Sequence, residues 1–477
     1  MTPRQTFGAL LLAVLAVAVS FVLLAVYVPA APSAPIVATP AQLKVSGAET
    51  PVSAAFYGVG IQVGTPLSSD TASLLSGTPI HYIRFPDGKS GDRMDLVNGT
   101  LYTPGEANAT QPAVTLPDFI SACEAIDCQA IIQLPLEIDS PGTATYEVNY
   151  IENSLHFDPA YFELGNEPGG WTCYGTPWAD WGSGCTGGTD PTTYAQEVGT
   201  YISAVRAVDP SAQFVGLGGT GSGNSNDSSW IAPLEEEDGH NLAAISIHSY
   251  VDDHIPSPDT VTLSNFFTGL SSPSSIPNIL TSARQAVRAA CPTCSTQVFV
   301  TEMDAVSGGQ PLGSYLPTFY NGVFFAAEVT QGLNFQASNI DPFTWESEES
   351  GLITSSGPAA RYTVESAFLS RLGPDEFNAT VNISGVYVAV TGGNGSTELL
   401  LVNTNTSTSV NVLLTSSGLG LSGVADLWTW TSSESSPSES TPSAALLSSI
   451  LLPPMSVELV TASGSPNGVG FPSPLSP

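Results

Sequence analysis

Across residues 55–370, short apolar runs alternate with longer amphipathic stretches, and this alternation predicts a parallel α/β architecture. Strand-like runs cover Phe56–Ile61, His81–Phe85, Ala130–Leu134, Tyr161–Leu164, Phe214–Leu217, Ala244–His248, Gln297–Thr301 and Phe335–Ile340. Helical spacing falls between them at Thr192–Val208, Ile276–Ala290 and Tyr315–Thr330, the first capped by Thr192 or Thr193. Eight strands with intervening helices make a (β/α)8 TIM barrel the expected catalytic-scale unit.

After residue 371 the helical period disappears. Short β-rich runs at Val386–Val390, Glu398–Val402, Ser409–Leu414, Ala425–Trp430 and Ser456–Val460, separated by Gly, Asn and Ser, predict an antiparallel β-sandwich over 371–463. A strand near Leu43–Gly47, within a linker at 30–54, is expected to join it. Residues 464–477 read as a flexible Pro/Gly/Ser tail. At the other end, Phe7–Val28 is long and apolar enough to span a bilayer, so 1–29 is expected to be a transmembrane anchor. Cleavage after the small residues near Ala34 is the alternative, and either places the rest outside the cell.

Six cysteines and seven Asn-X-Ser/Thr sequons, at Asn98, Asn108, Asn226, Asn378, Asn382, Asn394 and Asn405, fit an exported, oxidised and glycosylated protein. Local spacing suggests the pairs Cys123–Cys128, Cys173–Cys185 and Cys291–Cys294. The net charge is −33, yet only 11% of residues are charged, where roughly 25% is usual. With ten basic residues and no basic patch, nucleic acid is excluded as a partner. Such a surface suits work in acid. The run Glu235–Asp238 reads as a solvated acidic face. No His/Cys/Asp cluster has metal-ligand spacing, and no cofactor is expected.

Two glutamates carry the chemistry. Glu163-Leu-Gly-Asn-Glu-Pro168 places Glu167 just beyond the fourth strand, and Phe299-Val-Thr-Glu-Met303 places Glu302 at the end of the seventh. In a parallel barrel both would reach the mouth. Paired carboxylates there suit glycosidic hydrolysis, in which one protonates the leaving oxygen and the other attacks the anomeric carbon.

Asn166-Glu167-Pro168 after strand four, with Glu302 at strand seven, resembles the clan A retaining glycoside hydrolases. The resemblance covers residues 55–370 and implies that Glu167 is the acid/base, Glu302 the nucleophile, and Asn166 a ligand of the sugar 2-hydroxyl. It further implies that Arg84 at the end of strand two touches the nucleophile. His248 and Tyr250 at the end of strand six would line the site, with the tyrosine hydroxyl bonded to Glu302, and Trp345 after strand eight would stack beneath the sugar. Within the clan, Glu163-Leu-Gly-Asn-Glu-Pro168 together with Arg84 and the β-sandwich resembles family 79, the heparanase and β-glucuronidase group.

Lys89 and Arg93 lie after strand two, where they could discriminate a uronate from a neutral sugar. Trp171, Tyr174, Trp178 and Trp181, bracketed by Cys173 and Cys185, could wall the cleft. The expectation is a retaining β-glycoside hydrolase cleaving β-linked glucuronic acid, or a related sugar, from oligo- or polysaccharides. The alternatives are a neutral-sugar β-glycosidase of the same clan and a non-catalytic glycan-binding surface protein.

Overall fold

The barrel strands are β2 (Gly58–Gly60), β3 (Tyr82–Phe85), β4 (Gln129–Leu134), β5 (Tyr161–Leu164), β6 (Phe214–Gly216), β7 (Leu242–Tyr250), β8 (Gln297–Asp304) and β9 (Asn339–Pro342). They pair in parallel and in sequence order. A bridge between Tyr57 and Ile340 brings the two edges together, and Ile340 N donates to Phe56 O at 2.8 Å. Because helices cover the outside and side chains fill the inside, the strands are buried on both faces, which is why they read as unbroken apolar runs. The computed structural model describes residues 39–103, 109–172, 189–220, 227–251, 262–306, 318–348, 351–393, 395–414, 425–441 and 448–463, with 315 and 419.

The helices are α1 (Thr71–Leu75), α2 (Leu116–Glu124), α3 (Pro141–Asn149), α4 (Pro191–Arg206), α5 (Asp227–Asp238), α6 (Ile276–Ala290), α7 (Phe319–Asn334) and α8 (Ala360–Ala367). α6 buries Ile276, Ile279, Leu280, Ala283 and Val287, a stripe at three- and four-residue spacing. The cap of α4 is Asp190 rather than a threonine: its carboxylate accepts from Thr192 N and Thr193 N at 3.0 and 3.2 Å. α7 starts and ends later than the sequence suggests, so Phe335 closes the helix instead of opening β9. The acidic run also differs from expectation. Helical spacing on α5 turns Glu235 and Asp238 inward, leaving Glu236 and Glu237 exposed.

The C-terminal region is an antiparallel sheet of β1 (Thr39–Pro51), β10 (Asp375–Val381), β11 (Val386–Gly393), β12 (Ser396–Asn403), β13 (Val410–Leu413), β14 (Ala425–Thr431), β15 (Ser438–Ser440), β16 (Ser449–Leu452) and β17 (Ser456–Ser463). The strand order is β15-β14-β17-β12-β11-β10-β1-β13-β16. The sheet folds over itself, since Leu43, Val410, Val412 and Leu452 share a hydrophobic cluster with Phe377, Val388, Leu399 and Val460. Its other face, through Leu400, Trp430, Val457 and Leu459, packs into the same cluster as Val323, Phe324 and Phe325 of α7. That helix is buried on every side because it sits between barrel and sheet.

Disulfides join Cys123 to Cys128 and Cys291 to Cys294, while Cys173 and Cys185 lie outside the described residues. Cys291–Cys294 falls between the end of α6 and the start of β8, at the end of the barrel opposite its mouth. The apolar stretch Phe7–Val28 and residues 464–477 are also outside the described residues, and no helix among those described is long and apolar enough to cross a membrane.

Candidate active site

At the carboxyl ends of the strands, Arg84 of β3 is fully buried. A buried cation needs partners, and this one has four. Its guanidinium donates to Glu163 Oε2 at 2.5 Å, Asn166 Oδ1 at 2.7 Å and Glu302 Oε1 at 2.8 Å, and also to Asp87. Glu163 is held from its other side by Ser246 Oγ of β7 at 2.7 Å. The arginine therefore ties β3, β5 and β8 together under the mouth.

Glu302 of β8 is 3% exposed. Its Oε1 takes the Arg84 bond, and its Oε2 accepts from the Tyr250 hydroxyl of β7. Glu167 occupies the turn after β5 in the left-handed region, at φ 47°, where a non-glycine residue costs on the order of 1–3 kcal/mol unless its surroundings fix it. They do: Asn166 N donates to Asp92 Oδ1 at 2.8 Å, and Glu167 N donates to Gly218 O at 2.9 Å. His248 Nδ1 lies 3.1 Å from Glu167 Oε1 and 3.4 Å from Glu302 Oε2. A carboxylate oxygen of each glutamate and a His248 ring nitrogen all lie within 4.8 Å of one another. The imidazole is seated against Gly219, where an added Cβ would meet the ring at 2.6 Å and φ is +73°.

Burial pushes the Glu167 carboxyl up, but the hydrogen bond and positive charge of His248 outweigh it, and Lys89 and Arg84 add to them, leaving Glu167 below its ordinary value. For His248, burial disfavours the charged ring, yet the Glu302 charge and the Glu167 hydrogen bond prevail and raise it. The imidazole thus lies between the two carboxylates and favours the charged form of Glu167. Burial raises Asp87 to about 8 in spite of Arg84.

Arg84, Asn166, Glu167, His248, Tyr250 and Glu302 thus converge, and three expected residues do not serve as read. Trp345 is 0% exposed, packed against Tyr362 of α8 with ring centroids 6.3 Å apart, so it offers no face to a sugar. The half-buried ring nearest Tyr250 on that side is Phe343, 6.2 Å away and edge-on. Trp171 is 3% exposed, and its indole N–H donates to Asn166 O at 2.7 Å and Asp92 Oδ2 at 2.9 Å. It supports the Glu167 turn from below instead of lining the cleft. Arg93 is held by Glu137 at 2.8 and 3.3 Å. Lys89 is exposed, has its ammonium beside Gly170, and forms no ion pair among the described residues. Tyr174, Trp178 and Trp181 lie outside the described residues. Asp87, Asp92 and Glu163 were missed, although Asp87 stands in the same Ile83-Arg-Phe-Pro-Asp-Gly88 segment as Arg84.

No protein-family model matches the chain, and no curated protein matches it. Solved structures do match. A family 51 arabinofuranosidase from Xanthomonas axonopodis pv. citri is 14% identical with a TM-score of 0.71, over 89% of this chain and 100% of that one. The family 51 α-L-arabinofuranosidase of Bifidobacterium longum is 14% identical with a TM-score of 0.70, over 89% and 100%. A family 44 xyloglucanase from Paenibacillus polymyxa, solved with xyloglucan, is 10% identical with a TM-score of 0.68, over 90% and 100%. The chain shares their fold. At these identities the likeness speaks for the scaffold, a barrel with an antiparallel sheet beside it.

Proposed function

We propose that this chain is a retaining glycoside hydrolase with Glu302 as nucleophile and Glu167 as acid/base. The observation that carries the reading is the approach of the two carboxylates to within 4.8 Å, oxygen to oxygen. Retaining enzymes hold their carboxyls about 5–5.5 Å apart so that one reaches the anomeric carbon directly, whereas inverting enzymes leave roughly 6.5–9.5 Å for a water. Arg84 and Tyr250 hold Glu302 in position through its two oxygens, and Asn166 stands beside Glu167 for a sugar hydroxyl.

We assign the starting proton to His248, whose Nδ1 lies 3.1 Å from Glu167 Oε1 and whose charged form the two glutamates favour. As Glu302 attacks and loses its charge, the imidazolium loses the neighbour that stabilises it, and its proton can pass through Glu167 to the leaving oxygen. Water then enters on the same face, with Glu167 as base. A lectin would need none of this machinery. The two disulfides support the exported, oxidised setting expected from the sequence.

For the sugar, we propose a β-linked uronic acid whose carboxylate meets Lys89, the exposed cation beside the Glu167 turn. A neutral sugar is the second reading, favoured by the arabinofuranosidases and xyloglucanase that share the fold. Assay of residues 36–477 on nitrophenyl β-glucuronide, β-glucoside and α-L-arabinofuranoside separates the two. Preference for glucuronide that disappears in Lys89→Ala supports the first reading, and a neutral-sugar preference in the parent rejects it. Glu167→Ala should cripple turnover of unactivated substrates and recover in part on activated ones with azide. Near-normal rates on unactivated substrates would reject the acid/base role.

A further inference from the structure

We propose that Glu167, His248 and Glu302 also form a binding site for a divalent first-row transition metal, zinc foremost, and that the bound ion closes the cleft to substrate. Donors at about 2.0–2.2 Å from a tetrahedral ion lie roughly 3.3–3.5 Å apart. His248 Nδ1 stands 3.1 Å from Glu167 Oε1 and 3.4 Å from Glu302 Oε2, and all three ligand atoms fall within 4.8 Å of one another. The two distances from His248 already approximate edges of such a coordination shell, and the partly exposed Glu167 side chain supplies the movement that brings its oxygen toward Glu302 Oε2.

The surroundings favour the same assignment. Arg84 binds Glu302 Oε1, so the ion would share Oε2 with the Tyr250 hydroxyl, whose hydrogen bond fixes the orientation of that carboxylate. The imidazole cannot swing away, since Gly219 backs it closely. Glu167 provides the entrance, with a side chain 28% exposed beside a His248 side chain at 3%. One imidazole and two carboxylates suit zinc, copper or nickel, whereas magnesium and calcium call for oxygen donors in larger number. The fourth position faces the cleft, where a sugar would otherwise sit. Both glutamates are then engaged, one as the group that must attack and the other as the group that must protonate.

The other cluster with ligand character, His240 with Cys291 and Cys294, has its two sulfurs joined in a disulfide. It therefore serves as a control. Inhibition rests on the glycosidase reading; metal binding does not, so the two are measured separately. Calorimetric titration of the oxidised protein with zinc chloride should give one ion per chain, with magnesium chloride giving none. His248→Asn and Glu167→Gln, with circular dichroism matching the parent, should each weaken zinc at least tenfold, while His240→Ala leaves it unchanged. Cobalt(II) in place of zinc should produce visible absorption of tetrahedral intensity that His248→Asn removes. On whichever aryl glycoside the parent turns over, zinc should raise KM without lowering kcat. Absence of binding, equal affinity in His248→Asn, or loss in His240→Ala would overturn the site. Zinc that binds the triad yet leaves KM unchanged or raises turnover would overturn the inhibition.

Discussion

Arg84 and Tyr250 touch the same carboxylate for different reasons, and substitution should separate them. Tyr250 supplies a hydroxyl to Glu302 Oε2 without balancing any charge. Tyr250→Phe is expected to lower kcat/KM on the order of 100-fold, the usual effect of deleting a donor aimed at reacting charge, with an unchanged melting temperature. Arg84 balances Glu163, Asp87 and Glu302 in a fully buried setting. Arg84→Met should cost roughly 3–5 kcal/mol of stability, read as a lowered denaturation midpoint, besides abolishing turnover. Which residues meet was legible because strand ends in a parallel barrel share one mouth: Glu167 and Glu302 could be placed by counting strands, and the clan A resemblance added Arg84, His248 and Tyr250. Which residues are buried was not. Trp345 and Phe343 stand two positions apart after β9, and nothing local marks the indole as core and the phenyl as facing Tyr250. Asp87 and Glu163 resemble any surface acid until the fold closes over them.

At the level of elements, α7 is the joint between the barrel and the antiparallel sheet. Its Gly322 lies under Trp430 of β14, where a Cβ would approach the indole at 2.8 Å and Ala360 O at 3.1 Å. Gly322→Val should therefore push the sheet from the barrel and destabilise the protein by about 1–3 kcal/mol, measured by denaturant unfolding, with the geometry around Glu302 untouched. The sequence predicted this helix from its amphipathic spacing but placed it four residues early, because a segment apolar on all sides carries little phase information. β10 and β16 were not foreseen for a related reason. Phe377–Val381 of β10 alternates but follows two acids and Pro374, and β16 is a four-residue run stopped by Pro453, so each is secured by pairing with β1, β11 and β13.

For the whole molecule, burial of carboxyls without cations sets the response to pH. Burial raises Glu458 to about 8, Glu365 to about 8 against the pull of Arg361, and Glu235 to about 7 against its Thr296 bond. Each holds its proton more tightly folded than unfolded, where a glutamate titrates near 4.5. Their contribution to stability is thus complete below pH 4.5 and is lost as pH rises toward about 8. Melting temperature should be higher at pH 4.5 than at pH 8, and Glu458→Gln, which stays neutral, should flatten that dependence. A melting temperature that instead climbs from acid to pH 8 would contradict it. The low charge density visible in composition hinted at acid tolerance; the mechanism, neutral acids in the core, required the fold.

β1 lies beside β10 in the sheet, with Gln42 N bonded to Asn382 Oδ1 across 340 positions of sequence. A ribosome therefore releases this strand long before its neighbour exists. Until the last quarter of the chain emerges, the edge that β1 will fill has not been made, and the strand must wait with its hydrogen-bonding groups in water. The barrel can assemble in that interval, but β1 is secured only near the end of translation.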